Sequence, residues 1–471
     1  MTTLSRSARA PADTTTTPPG AKRRHTVRSH TAPLLTATDL RLLIGASGVL
    51  VAGIWVRHGG LDQLSTIPGA LTGLGQITAL LGTWMALVGV LLMARVPWID
   101  HVVGSDRLRA WHRWTGFATL WLLTGHAVFT TAGWVAGPGA DPITDTIALW
   151  TTWDVLLAVV GLGLLTLVAV TSVRAARRRI AYETWYGLHL YAYLGIALAF
   201  VHELTMGTDF FDDPVAIAFW VGLYVVVFGL LLVHRVAAPI ALTLRTRPRV
   251  TAVVPEANGV VSIVVTGRNL DRTGARAGHF FQVRFLSGGG WWRPHPFSIS
   301  AAPDARGLRF TIKDLGDDTH RMLALTPGTR VFLEGPYGAF TADVVRGDRA
   351  VLLAGGIGLT PLRAILDDLP SHVRTTLLVR ARAWEDIAFQ GELAAIAQAR
   401  GVDIRYLVGR RGSPQMPVDP LAPDWLGRLV PDITDADVLV CGSPPYTERV
   451  LTSLRALKVP SGQIHAEQFG A

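Results

Sequence analysis

The sequence predicts a multidomain chain: a six-helix transmembrane bundle, then an antiparallel β-barrel, then a doubly wound α/β domain. Three observations carry this. Apolar residues make up 49 % and charged residues 17 % of 471 positions, where ordinary soluble domains carry about 25 % charged residues. Six long apolar segments lie between residues 41 and 235. Beyond residue 244, short β-rich runs punctuated by Gly and Pro give way at 349 to alternating strands and helices. The expected boundaries are a tail at 1–38, the bundle at 39–243, the barrel at 244–345 and the α/β domain at 346–471.

Residues 1–38 are rich in Thr, Ala, Pro, Arg and Lys. No apolar stretch precedes the basic run at 21–30, so a disordered cytoplasmic tail is expected rather than a cleaved signal peptide. The apolar segments lie near 41–57, 70–94, 112–134, 147–172, 182–202 and 214–235. A bilayer core about 30 Å thick takes about 20 apolar residues as a helix, and each segment is near or above that length. Arg95, Arg107 and Arg109 follow the second segment; Arg174, Arg177, Arg178 and Arg179 follow the fourth; Arg235, Arg245, Arg247 and Arg249 close the sixth. The opposite loops hold Asp141, Asp145, Glu203, Asp209, Asp212 and Asp213, with Arg57 the exception. By the positive-inside rule the chain is an integral protein of the cell membrane with both termini cytoplasmic. This distribution accounts for the net charge of +9, and nucleic-acid binding is not expected. The single cysteine, Cys441, excludes an intrachain disulfide and CxxCH haem attachment. It also excludes a thiolate-held iron–sulfur cluster, which needs about four cysteines.

Segment three carries His112 and His126, and segment five carries His189 and His202. Ionisable residues inside a bilayer are costly and mark function. Both segments run from the cytoplasm outward. At 1.5 Å per residue the first pair is about 21 Å apart and the second about 20 Å apart, so the levels match. Two histidines at each of two levels is what two bis-imidazole haems stacked across a bilayer require. A spacing of fourteen turns a helix by about 1400°, close to the same face; thirteen gives about 1300°, which is not. Segment five is therefore expected to bulge or bend, with Gly195 the candidate, or to meet its partners from different sides. His58, His101 and His234 lie at helix ends without partners and are read as ordinary histidines.

In the barrel region the run WWRPHPFSIS at 291–300 follows a predicted strand, and GPYG follows at 335–338. A flavin needs an apolar or aromatic wall, a donor near N5 and groups for its pyrophosphate. The run VLLAGGIGLTPLRAIL at 351–366 reads as strand, Gly-rich turn and helix. Glycines there let the backbone approach a pyrophosphate, and the helix start supplies free N–H groups. Pro361 suits an early helical position. Arg380, Arg382, Arg410 and Arg411 follow sheet strands, where an adenosine 2′-phosphate would lie, and arginine binds phosphate bidentately. NADPH is therefore expected, with NADH possible.

Together these residues resemble the ferric reductase and NADPH oxidase family, over everything after the tail. The resemblance implies that His112 and His189 hold an inner b-type haem, and His126 and His202 an outer one. It implies a ferredoxin-reductase-like module in which His295, Pro296, Phe297 and Ser298 form the FAD motif. Phe297 would pack on the isoalloxazine and Ser298 bond near N5. Relatives place Arg where His295 stands, which makes Arg293 the alternative pyrophosphate partner. KDLGDDTH at 313–320 looks like a second flavin-phosphate loop, through Gly316 and Thr319. Gly355, Gly356, Gly358, Thr360 and Pro361 match the pyridine-nucleotide motif. Cys441 and Gly442 match a turn near the nicotinamide, where Cys441 positions hydride transfer. Phe469, with Glu467 nearby, resembles a terminal aromatic that covers the flavin.

The resemblance implies a transmembrane oxidoreductase. Electrons pass from cytoplasmic NADPH through FAD and two haems to a small extracytoplasmic acceptor, a ferric or other metal ion or oxygen. A metal or diffusible oxidant is favoured over dedicated superoxide production, because Arg57 and His58 are the only basic candidates outside. The alternatives are a superoxide-producing NADPH oxidase, a haem-free membrane-anchored flavin reductase, and a transporter or scaffold with a degenerate reductase domain. The intact motifs oppose the last. Oligomeric state is not legible in the sequence.

Overall fold

The computed structural model describes residues 36–469 apart from 138, 208–212, 289–290, 306, 415 and 417. Residues 1–35 of the tail expected at 1–38, with Asp209 and Asp212, fall outside the described residues, and the first helix already begins at Ala37.

The apolar runs become helices that begin at polar caps. Thr36 and Asp39 form a capping box before α1 (Ala37–Arg57), which satisfies backbone donors that have no partner within the helix. Thr66 caps α2 (Ile67–Met93), with Pro68 in its first turn. A short α3 (Pro97–Val103) leads to α4 (Ser105–Val135). α5 (Pro142–Thr151), α6 (Trp153–Ser172), α7 (Arg174–Arg177) and α8 (Tyr182–Met206) follow. α9 (Pro214–Leu232) runs through a π-helical turn at Val233–Ala237 into α10 (Ala238–Thr246).

Three expectations change. The segment at 147–172 is two helices, because Thr152 is extended (ψ 133°) between α5 and α6. Segment five has no break at Gly195: α8 is continuous, and Gly195 serves packing instead. A Cβ on it would stand 2.9 Å from the Gly161 carbonyl oxygen of α6. Glu203 is inside α8 rather than in a loop, and it accepts a hydrogen bond from Tyr224 of α9 at 2.9 Å. Among the described residues five helices are long and apolar enough to cross a membrane. α4 is long enough but is not one of them, since Thr, Gly, Trp and His126 dilute its apolar stretch. Leu50, Trp121, Val160 and Val225 are exposed on these helices, as lipid-facing side chains are.

Two three-stranded antiparallel sheets follow, ordered β1-β2-β5 and β4-β3-β6. Their strands are β1 (Arg249–Ala257), β2 (Val260–Thr266), β3 (Phe280–Phe285), β4 (His295–Ser298), β5 (Leu308–Lys313) and β6 (Val331–Tyr337), with α11 (Asp317–Leu323) after β5. Bridges Arg249–Arg330 and Ile299–Phe310 join the two sheets. Inward residues at alternate positions, such as Phe281, Val283 and Phe285 on β3, form one core with Ile263 and Phe310, the period-two pattern of a half-buried strand.

The last region is a five-stranded parallel sheet ordered β11-β10-β7-β8-β9. It comprises β7 (Arg349–Gly355), α12 (Leu359–Asp368), β8 (Arg374–Ala381), α13 (Gln390–Arg400), β9 (Asp403–Val408), α14 (Pro423–Leu429), β10 (Asp437–Gly442), α15 (Pro444–Ala456) and β11 (Ile464–Gln468). Both sheet faces are covered, so the central strands are continuously apolar; β10 is buried along its whole length. The C-terminal run, expected only as an aromatic cover, is the edge strand beside β10.

Candidate functional site

The histidine pairs are built on a glycine seam. Gly75, Gly82 and Gly89 recur every seven residues along α2 and face α4. Added Cβ atoms would meet Thr130 Oγ1 at 2.3 Å, Leu123 at 2.7 Å and Thr115 Oγ1 at 3.1 Å. Small residues at this spacing let two helices approach closely. The approach brings His126 Nδ1 to 2.9 Å from the Gly75 carbonyl oxygen, and His112 Nδ1 to 3.1 Å from that of Gly89. A carbonyl only accepts, so both Nδ1 atoms carry the proton and both Nε2 atoms keep a free lone pair, the form a metal takes.

Across from them, on α8, the His189 ring centroid is 5.9 Å from that of His112, and the His202 centroid 6.3 Å from that of His126. The pairing order makes α4 and α8 parallel. α4 is backed by α2 and α8 by α6, while α4 and α8 share little contact among the described residues, so the imidazoles face across a slot. Metal–imidazole bonds run about 2 Å; one ion between two rings therefore sets their centroids about 6 Å apart. The Nδ1 atoms of His189 and His202 are buried without a hydrogen-bond partner. Spacing, tautomer and slot fit a planar group with its metal ligated on both faces.

The second site lies on β4. Antiparallel pairing sets Phe297 opposite Phe281 and His295 opposite Val283. The His295 and Phe297 rings lie 6.0 Å apart and 14° from parallel, an aromatic wall suited to a flat heterocycle. Pro296 is exposed between them. Ser298 Oγ is buried, 3.5 Å from Glu467 Oε1 of β11, so the two reductase sheets meet at this motif. Burial pushes the His295 imidazole below its usual range, against the pull of Asp318, so it does not replace an arginine's permanent charge. Arg293 keeps its charge but is bonded to Asp318 at 2.9 Å and Glu183 of α8 at 3.4 Å. The Thr319 hydroxyl accepts from Leu315 N at 2.8 Å and donates to the Gly316 carbonyl at 2.9 Å, shaping its own loop.

The third site is the turn after β7. Gly356 is left-handed (φ 55°) with open space around it, whereas a Cβ on Gly358 would stand 2.3 Å from the Cys441 carbonyl oxygen. The glycines thus join the ends of β7 and β10 under the start of α12. Thr360 Oγ1 donates to the Ile357 carbonyl at 2.7 Å, and Pro361 is the third residue of α12. Cys441 is fully buried, and Gly442 accepts from Phe469 N at 2.8 Å. Phe469 packs on the core beneath α12. Arg380 donates to the Ala381 and Leu407 carbonyls at the strand ends. Arg382 and Arg410 are exposed, and Arg411 lies 3.5 Å from Asp419.

The comparisons agree with this division. Residues 78–200 match the family described as "Ferric reductase like transmembrane component". The C-terminal part matches flavin reductases. The chain is 31 % identical over 191 residues to the ferredoxin–NADP reductase B of Sorangium cellulosum, covering 37 % of this chain and 77 % of that protein. Residues 78–200 thus resemble a ferric reductase transmembrane component, and the C-terminal part is similar to a ferredoxin–NADP reductase. The chain is also 29 % identical over 192 residues to the glycine betaine monooxygenase reductase subunit of Chromohalobacter salexigens, covering 37 % of this chain and about half (51 %) of that relative. A solved FAD/NAD-binding domain of a Vibrio cholerae nitric oxide dioxygenase aligns with 21 % identity and a TM-score of 0.37, over 48 % of this chain and 100 % of that one.

The chain joins a ferric reductase-like transmembrane domain to a module similar to flavin- and nicotinamide-binding reductases. Several of its site residues were not singled out from sequence. Tyr446 of α15 lies against the last residues of β7 and β10; Cβ atoms on Gly355 and Gly442 would meet its ring at 2.6 and 2.5 Å. Arg449 shares Asp419 with Arg411, at 3.1 Å. Glu183 ties the flavin motif to the bundle through Arg293. The seven-residue glycine repeat was the one signal on the page that could have located the α2–α4 seam.

Proposed function

We propose that the chain carries electrons from NADPH on the cytoplasmic side, through FAD and two b-type haems, to an acceptor on the opposite side of the membrane. The observation that carries this is the pair of facing imidazole couples at two levels, each with a proton-bearing Nδ1 on α4 turned away from its partner. His112 and His189 hold the inner haem, and His126 and His202 the outer. The Phe297 and His295 wall with Ser298 receives the flavin ring, and the Gly355–Gly358 turn receives the nicotinamide dinucleotide. The chemistry supplied by bound FAD and haem is hydride acceptance and single-electron passage. The chain's part is to fix levels, exclude water and keep the route dry. The Arg-rich loops on the side of the reductase module support the orientation.

The acceptor reading rests on charge. Arg57 and His58 lie 3.3 and 3.0 Å from the same carboxylate, Asp213. Asp62, Asp141 and Asp145 lie on the same side of the bundle. That side favours a cationic acceptor, a ferric or other metal ion, over an anionic product. The test is a reduced-minus-oxidised spectrum of the purified protein with NADPH, beside His126→Leu and His189→Leu. Two b-type haems in the parent, and the loss of a different one in each variant, are expected. A preparation made with ample haem that shows flavin absorbance alone overturns the reading.

A further inference from the structure

Where α10 ends and β1 begins, a cavity of about 470 Å³ opens on the side of the first sheet, away from β4 and from the Gly355–Gly358 turn. Thr246, Arg247, Arg249, Thr266, Arg268 and Gly328 line it. Three exposed arginines are among its lining residues and no carboxylate is.

Two features mark this cluster of exposed arginines. The first is its lack of compensation. Arg235, Arg293, Arg309, Arg363 and Arg449 each lie within 4.0 Å of a carboxylate. Among the described residues, no ion pair to a carboxylate is recorded for Arg247, Arg249 or Arg268. The second is the backbone at Arg247, which ends α10 in the left-handed conformation (φ 47°, ψ 55°). Glycine or asparagine is usual there, and a long side chain costs conformational energy. The walls are fixed. Arg249 donates to the Gly328 carbonyl at 2.9 Å, and Arg268 N donates to the Thr246 carbonyl at 2.7 Å. A Cβ on Gly267 would meet that same Thr246 carbonyl at 2.6 Å, so the end of β2 is pressed against the end of α10.

Guanidinium groups held around one space repel one another until an anion joins them, and their planar forks match phosphate oxygens. We propose that this cavity binds a multiply charged phosphate group, which clamps the end of the last membrane helix to β1, β2 and the loop before β6. Pro214–Thr246 is a helical stretch of 33 residues, about 50 Å at 1.5 Å per residue, against a hydrocarbon core of about 30 Å. The helix thus runs about 20 Å past the core, and the two arms of the test below distinguish a phosphorylated lipid headgroup from a soluble phosphate. The site is independent of the haem reading.

The test uses the full-length, FAD-loaded protein in phosphatidylcholine nanodiscs. One arm titrates inorganic pyrophosphate, with NADP⁺ saturating the nucleotide site; the other adds phosphatidylinositol 4-phosphate to the discs. Arg247→Gly removes the cation and suits the left-handed backbone, so lost binding is not lost folding; Arg268→Gln is the second variant. Saturable binding in at least one arm, weakened tenfold or more by both variants with unchanged NADPH-dye turnover, is expected. Binding of pyrophosphate assigns a soluble source, and binding confined to the lipid arm assigns a headgroup. No binding in either arm, or binding that both variants retain, overturns the proposal.

Discussion

The Arg235 guanidinium, in the π-helical turn that ends α9, lies 2.6 Å from the Glu334 carboxylate of β6. Glu334 is 3 % exposed and also accepts from the Tyr337 hydroxyl at 3.2 Å, with Arg284 at 3.8 Å. Arg95 lies over the Tyr337 ring, 4.7 Å from its centroid. One buried carboxylate therefore serves cations from the bundle and from the sheet. Removing one member of a buried pair costs about 3–5 kcal/mol, because the other charge is left uncompensated. Glu334→Gln is expected to lower the melting temperature of the detergent-solubilised protein by several degrees. Transfer from NADPH into the bundle should slow more than transfer to a soluble dye. An unchanged melting curve would show that the junction does not depend on this charge.

His279 precedes β3 and meets His101 of α3 edge-on, with ring centroids 5.3 Å apart. Its Nδ1 accepts from Arg276 N at 3.2 Å. Burial, with His101 and Arg276 adding repulsion, pushes the imidazole down to about 4. The unfolded chain takes up this proton near pH 6.5 and the folded chain does not, so stability rises with pH between about 4 and 6.5. Acidification through that window is expected to loosen the junction. His279→Gln should flatten the slope of melting temperature against pH there. A slope identical to the parent's would remove His279 from the account.

Gly356 and Gly358 flank Ile357 and have opposite tolerance. A Cβ on Gly358 meets backbone, the Cys441 carbonyl oxygen at 2.3 Å and Gly442 N at 2.6 Å. Neither yields, so Gly358→Ala should separate β7 from β10 and abolish NADPH oxidation. Gly356→Ala meets nothing but a left-handed backbone, which costs about 1–2 kcal/mol. Retained turnover in Gly356→Ala beside loss in Gly358→Ala is the expected contrast, read by stopped-flow flavin reduction.

Arg411 and Arg449 share Asp419, near Arg380 of β8. A charge-assisted hydrogen bond is worth about 1.5–3 kcal/mol, so Arg411→Ala is expected to raise the KM for NADPH about tenfold or more. The KM for NADH should move little. Equal changes for both nucleotides would assign Arg411 to something other than the 2′-phosphate.

The helices were legible because lipid demands long apolar runs, and their ends fall within a few residues of the caps. The division at Thr152 was not, since 147–172 is apolar throughout and the break lies in one extended residue. Glu203 looked like a loop acid because composition does not reveal a partner, and Tyr224 lies on another helix. The thirteen-residue histidine spacing suggested a bend, whereas Gly195 is taken up by contact with Gly161 and α8 continues past it. The local motif placed the glycine turn between strand and helix, whereas the run at 291–300 was read as following a strand and proves to contain one, β4. Non-local pairings stayed hidden. β11 joins β10, and Glu392 of α13 receives Arg309 at 2.5 Å and Arg363 at 2.6 Å, tying the first sheet to the parallel one.

The helical stretch from Pro214 to Thr246 leaves no slack between bundle and reductase. Adding one residue between Pro239 and Ile240 would swing everything beyond it by about 100°, carrying Glu334 away from Arg235. A domain on a leash tolerates a longer leash. This one is keyed like a shaft in a socket, so its connector can change only by whole turns without misaligning the route for electrons.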